Sequence, residues 1–422
     1  MGGMTPDARA VGAAAGPGDR PPYGTLLAGF AAMVVLLTVV VTIAAKPADF
    51  AWIQTGPVWL DSWFKLDSGW YYSIAANGYY YDPVGESSVA FFPAYPIAVR
   101  GLGVLIGDYQ IAGTAISVVA GAGAICLFAN WVWQRLPRRG ALIAIALMMV
   151  YPYAFYLYGA MYSDSMFLLA VIAAFLLLER QMFWAAGLVG ALATAGRPVG
   201  IAIALGLVVR MLEMQSESRL AAARVSSAGT AASAGSDHGV RPDRPSARQI
   251  VAAIPTVRWR QSGVLVSITG LLGWCAYLWV RFGDPLIWIR AQAGWDQASG
   301  PHTWFKITYF DTLVHGNVLK SLALTAQLAF CVIAVALLPR VWRSFGWGYL
   351  AYAVSVLAIP LVGTKDFYGT GRYVLVAFPV VAVAGVLLAD SRRRWSVPAV
   401  FAVLFVGLIG ATCLYGLGLP VS

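Results

Sequence analysis

Residues 25–45 read TLLAGFAAMVVLLTVVVTIAA, a run without a single charged side chain. A hydrocarbon core about 30 Å thick takes about 20 apolar residues per helix, so this stretch is long enough to cross a bilayer. No small-residue cleavage site follows it, which reads as a retained anchor and not as a removed leader. Comparable stretches lie at 110–133, 140–158, 163–180, 182–212, 261–282, 318–337, 347–363, 373–389 and 397–418. Together they predict ten or eleven spans and an all-α polytopic membrane protein. The whole chain of 422 residues agrees, with 59% hydrophobic residues, 11% charged and a mean hydropathy of +0.71. Soluble domains carry about 25% charged residues, so an ordinary soluble enzyme is excluded.

The formal charge of +10 has a membrane explanation. Cytoplasmic loops of multi-pass proteins are enriched in Lys and Arg, so membrane lipids, and not nucleic acid, are the expected partner of this charge. Cys126, Cys275, Cys331 and Cys413 are scattered through apolar runs, and His238, His302 and His315 form no ligand cluster. Neither a disulfide framework nor a zinc site is implied. No cofactor is expected, with a divalent metal left open.

Composition divides the chain into four parts. Residues 1–23, rich in Gly, Ala and Pro, read as a disordered cytoplasmic tail. Residues 24–212 form a membrane module that includes an extracytoplasmic loop at 46–108. Residues 213–260, rich in Ala, Ser and Arg, read as a flexible basic cytoplasmic loop. Residues 261–422 carry the remaining spans, with extracytoplasmic loops at 283–317 and 364–372. Within the first loop, 89–107 (VAFFPAYPIAVRGLGVLIG) is read as a juxtamembrane helix. Laying it along the surface puts Arg135, Arg138, Arg139, Arg340, Arg343, Arg392, Arg393 and Arg394 on the cytoplasmic side together. The run 182–212 is long for one span and is interrupted by Gly196-Arg197-Pro198, so a hinge is predicted there.

On this topology the outer face collects three polar segments. The first holds Asp61, Asp67, Tyr71 and Tyr72. The second, 283–317, holds Arg290, Trp295, Asp296, His302, Lys306, Asp311 and His315. The third holds Lys365, Asp366 and Arg372. Asp164 stands at the outer end of another helix and Arg197 at the hinge. Ionisable groups at membrane depth are costly and are functional suspects. A carboxylate can act as general base on an attacking hydroxyl, and Arg or Lys can stabilise a departing phosphate. Tyr and Trp faces can pack against sugar rings or lipid chains. That combination suits transfer of a sugar from a lipid-linked phosphate to a hydroxyl. Structural alternatives stand beside it. Asp61, Asp67 and Asp164 could cap helices, Arg197 could make a structural ion pair, and Arg372 could snorkel towards headgroups.

The order of the motifs resembles one family. Lys65-Leu66-Asp67-Ser68-Gly69-Trp70-Tyr71-Tyr72-Ser73-Ile74-Ala75-Ala76-Asn77-Gly78-Tyr79, followed by Ala90-Phe91-Phe92-Pro93-Ala94-Tyr95-Pro96, is similar to the first luminal loop of the PIG-V-like mannosyltransferases. Their pattern there is Trp-Asp, then Ile-Ala-x-x-Gly-Tyr, then Ala-Phe-Phe-Pro-x-x-Pro. Tyr151-Pro152, Tyr162-Ser163-Asp164-Ser165-Met166-Phe167, Gly196-Arg197-Pro198-Val199-Gly200, Arg372-Tyr373 and Phe378-Pro379 resemble later stretches. Leu66 stands where that family favours Trp, and Asp164 where it has Glu. The resemblance implies the GT-C glycosyltransferase fold, a polyprenyl-phosphate sugar donor (usually mannose), a glycolipid or glycan acceptor and inversion at the anomeric carbon. It implies Asp67 as the base and Arg197 and Arg372 at the donor phosphate. Lys365, Tyr71, Tyr72, Asp164 and His315 complete the candidate substrate contacts. The alternative class, a transporter or flippase of a lipid-linked sugar, would place paired ionisable residues deep in several spans, whereas most spans here are wholly apolar.

Overall fold

The computed structural model describes residues 20–45, 56–230, 244–295, 297, 300–419 and 421, with the backbone alone over 225–230. Most of the expected tail at 1–23, residues 46–55 of the first loop, residues 231–243 and Asp296 lie outside the described residues. Among the described residues there are helices and no strands. In lipid every backbone N–H and C=O must find a partner within the protein, which a helix supplies.

The bundle and its connecting segments are built from α1 (Tyr23–Ala44), α2 (Ser68–Asn77), α3 (Ala94–Ile106), α4 (Tyr109–Trp133), α5 (Arg138–Val150), α6 (Asp164–Glu179) and α7 (Phe183–Thr194). They continue with α8 (Ile201–Thr230), α9 (Trp259–Phe282), α10 (Val318–Phe345), α11 (Trp347–Gly363), α12 (Thr370–Val376), α13 (Phe378–Ala389) and α14 (Ser396–Gly416). Among the described residues, six helices are long and apolar enough to cross a bilayer, or seven if the bent pair α12 and α13, meeting at 77°, is one span. The chain is thus an all-α, multi-pass membrane protein. Other apolar stretches of the sequence fold as shorter helices, because Pro152, Pro198 and Pro379 interrupt them.

The hinge forms where it was expected. α7 ends at Thr194, Arg197 is extended, and Pro198–Gly200 makes one 3-10 turn before α8 begins. The Ala195 carbonyl accepts a bond from the Ala94 amide at 2.9 Å, tying the hinge to the start of α3. α3 has 13 residues, about 20 Å at 1.5 Å per residue, which is short of a full crossing. α7 and α9 approach backbone to backbone. A Cβ on Gly187 would fall 2.0 Å from the Gly263 carbonyl oxygen, and one on Gly270 1.9 Å from that of Ala191. Small residues permit such contact between membrane helices.

The stretch 213–260 departs from the expected linker. α8 continues to Thr230, and helical turns resume at Ala247–Val251. Ion pairs hold the first turns of this stretch against the bundle. Arg210 pairs with Glu179 at 3.0 Å, Glu213 at 3.0 Å and Glu217 at 3.1 Å, while Arg135 reaches Glu179 at 2.9 Å. Buried Glu213 also accepts the Trp347 and Gly348 amides and so caps α11. A carboxylate there satisfies orphan amides and complements the helix dipole. Arg340 and Arg343 line a cavity together with Leu136 at this same end. Fifteen residues separate Glu179 from Asp164 at the other end of α6, about 22 Å.

Candidate active site

Four charged side chains meet at the end of the bundle away from the arginine-rich loops. Asp67 is the residue before α2, Asp164 opens α6, Arg197 occupies the hinge and Arg372 lies in α12. Arg197 is ion-paired with Asp164. Arg372 Nη1 stands 4.0 Å from Asp67 Oδ2 and 4.0 Å from Asp164 Oδ2. The two carboxylates differ in access: the Asp67 side chain is 35% exposed and that of Asp164 3%. Asp67 is therefore the more accessible of the two acids.

Asp67 does not act as a helix cap, since its side chain accepts no bond from the first turn of α2. Its amide instead donates to the Tyr162 hydroxyl at 2.9 Å. Enclosure by protein raises the Asp67 carboxyl above the ordinary value; the Arg372 guanidinium opposes this and Asp164 adds to it. Burial disfavours the charged form, while a neighbouring cation favours it.

Arg372 is largely buried, with 16% of its side chain exposed, so the snorkelling alternative is corrected. Its guanidinium lies over the Tyr156 and Tyr373 rings, 5.8 Å from each centroid, and Arg197 lies over Tyr373 at 4.9 Å. Stacked guanidiniums keep their in-plane donors available. Among the described residues, Arg372 Nε and Asp164 Oδ2 are buried without a hydrogen-bond partner. Such groups are costly unless a ligand or water completes them.

Tyr71 joins the cluster. Its hydroxyl meets Ser163 Oγ at 2.9 Å, its ring packs edge-on against Tyr162, and burial pushes its phenol up to about 12. Three other expected contacts have partners of their own. The Tyr72 ring packs on Phe64 and Tyr109, at 5.7 and 5.8 Å. Lys365 bonds to Gln297 through its amide and to the Trp295 carbonyl through Nζ, fastening one loop to another. His315 is exposed and paired with Asp311 in the preceding turn, at 3.0 Å. Asp61, another suspected cap, accepts from Gln110 at 2.9 Å. The loops' composition did not reveal which way these side chains face.

Sequence reasoning passed over Tyr156, Tyr368 and Tyr415. Burial raises the Tyr368 phenol, with Tyr156, Asp67 and Arg372 among its electrostatic neighbours. Tyr415 touches Tyr162 and Trp63 from the end of α14. A tyrosine within or beside an apolar run looks like ordinary membrane-protein composition. Among the described residues no group of three or more His, Cys, Asp or Glu could hold a metal ion; the cations at the site are guanidiniums.

No protein-family model matches the chain, and a comparison with curated proteins finds no match. Two solved structures are similar to it. One is the archaeal oligosaccharyltransferase AglB from Archaeoglobus fulgidus, in complex with an inhibitory peptide and a dolichol-phosphate. It aligns at TM-score 0.45 and 14% identity over 92% of this chain and 55% of that one. The other is ArnT from Cupriavidus metallidurans bound to undecaprenyl phosphate, at TM-score 0.46 and 16% identity over 92% of this chain and 64% of that one. The chain thus spans 55% and 64% of the lengths of these two proteins.

Proposed function

We propose that the chain is a membrane glycosyltransferase of the GT-C type. It moves a mannosyl residue from a polyprenyl-phosphate donor to a hydroxyl of a glycolipid or glycan, with inversion. The observation that carries this reading is the accessible Asp67 carboxylate 4.0 Å from Arg372, whose Nε is free to take a ligand oxygen. Asp67 receives the proton of the acceptor hydroxyl as its oxygen attacks the anomeric carbon. The bond from that carbon to the phosphate oxygen breaks, and its electron pair stays on the polyprenyl phosphate. Arg372, with Arg197 behind it, stabilises the charge that gathers there. The arginine-rich loops occupy the opposite end of the bundle, and the positive-inside bias supports an extracytoplasmic site.

Membranes carrying the protein, incubated with labelled polyprenyl-phosphate mannose, should yield a labelled lipid or glycan identifiable by mass spectrometry. A general base contributes about 10²–10⁴-fold, so Asp67→Asn should lose that much while inserting normally. Near wild-type transfer by Asp67→Asn refutes the mechanism. Label that crosses sealed vesicles without appearing on an acceptor points to the transporter alternative instead.

A further inference from the structure

Leu66, immediately before Asp67, has φ of 53°. That left-handed conformation is unfavourable for an ordinary L-residue and persists only where the surroundings enforce it. Two tyrosine hydroxyls supply the enforcement. Tyr415, from the end of α14, donates to the Trp63 carbonyl at 2.7 Å, stands 3.4 Å from the Lys65 carbonyl and shares a bond with Ser68 Oγ at 3.2 Å. It therefore touches both sides of the Leu66 turn. Tyr162 accepts the Asp67 amide from the other side. The two rings pack against each other at 6.1 Å, and both are fully buried. The Asp67 side chain has no cap bond of its own and meets Arg372 at 4.0 Å. Its placement is inherited from the backbone that the tyrosines hold.

We propose that Tyr415 and Tyr162 are positioning residues whose hydroxyls fix the left-handed turn at Leu66 and thereby aim the Asp67 carboxylate at the reacting hydroxyl. This rests on the reading of Asp67 as the base. A displacement of about 1 Å in a catalytic group can cost about 10²-fold in rate. Phenylalanine at 415 or 162 keeps the ring contacts and deletes only the hydroxyl.

The test has two arms. In the first, hydrogen exchange of the full-length protein in detergent is followed by mass spectrometry over residues 63–71. Tyr415→Phe and Tyr162→Phe should each speed exchange there while peptides of α6 and α8 exchange as in the wild type. Unchanged exchange at 63–71 overturns the proposal whatever reaction the protein performs. In the second, Tyr415→Phe should lower kcat by about tenfold to a hundredfold with the donor KM unchanged. Because the hydroxyl acts through Asp67, adding Tyr415→Phe to Asp67→Asn should cost nothing further. Wild-type kcat in Tyr415→Phe, or a full additional loss in the double variant, overturns the proposal while leaving Asp67 as the base. Full activity of Asp67→Asn alone refutes the functional reading instead.

Discussion

Replacing Arg372 with Gln should move the acid limb of the pH–rate profile to higher pH. Two unit charges 4.0 Å apart interact by about 4 kcal/mol at an effective dielectric of about 20. Carboxyls beside an arginine are typically held down by about one to three pH units. Enclosure already raises the Asp67 carboxyl, and Arg372 is the largest influence acting against it. The sign follows directly. A base must be ionised to accept a proton, so transfer rises as pH rises through the Asp67 value. Without the guanidinium that value climbs, and the rising limb of kcat/KM shifts alkaline by about one to three pH units. On the proposed reading the plateau should also drop, because Arg372 is assigned to the donor phosphate; one such donor is worth about 10²–10³-fold. Normalising each profile to its own plateau separates the two effects. The assay is initial-rate transfer from labelled polyprenyl-phosphate mannose by purified protein in detergent, from acid to alkaline pH. A lowered plateau with an unmoved acid limb would show that Arg372 serves the donor alone, and an acid-ward shift would refute the electrostatic reasoning outright.

Two further outcomes follow from other charged groups. Removing either partner of the buried Arg197–Asp164 pair should destabilise the protein by about 3–5 kcal/mol. The double Arg197→Ala, Asp164→Ala variant should lose less than the sum, read as melting temperature in one detergent. Enclosure lowers the Lys306 ammonium to about 8, so the folded chain binds that proton less tightly than the unfolded chain. Stability should therefore rise with pH from about 8 towards the ordinary lysine value near 10.4, and melting curves of Lys306→Met should lack this rise.

What could be read from the sequence was whatever breaks a pattern. Charge-free runs announced the spans, and Gly196-Arg197-Pro198 announced the hinge because proline removes a backbone donor. Asp67 stood out in a polar, aromatic loop, Asp164 at a helix end, Arg197 inside an apolar run and Arg372 in a short polar segment, and these four converge in the structure. Tyr415 broke no pattern, since one more tyrosine beside a span is unremarkable in composition, and only tertiary contact brings it to Trp63 and Lys65. The stretch after residue 212 misled for the opposite reason. Its Ala, Ser and Arg content resembles a linker, yet α8 runs on through it to Thr230, with Arg210 and Glu213 bonded to partners on α6 and α11. The left-handed Leu66 was equally hidden, because leucine carries no signal for positive φ.

The spacing of Asp67 and Arg372 bears on how both can act. A contact ion pair closes to about 2.8 Å, and each partner then satisfies the other. At 4.0 Å the attraction persists, but the carboxylate keeps lone pairs for a hydroxyl and the guanidinium keeps donors for a phosphate. Holding opposite charges apart requires both backbones to be fastened. The Asp67 amide is bonded to Tyr162. The peptide before Arg372 is fastened in the same way, with the Gly371 carbonyl accepting from Tyr151 at 2.8 Å and its amide donating to Gln327 at 3.2 Å. Gly371 also has no room for a side chain, since a Cβ would lie 2.2 Å from the Tyr153 ring. The spacing between the Asp67 carboxylate and the Arg372 guanidinium is thus fastened by backbone hydrogen bonds on both sides.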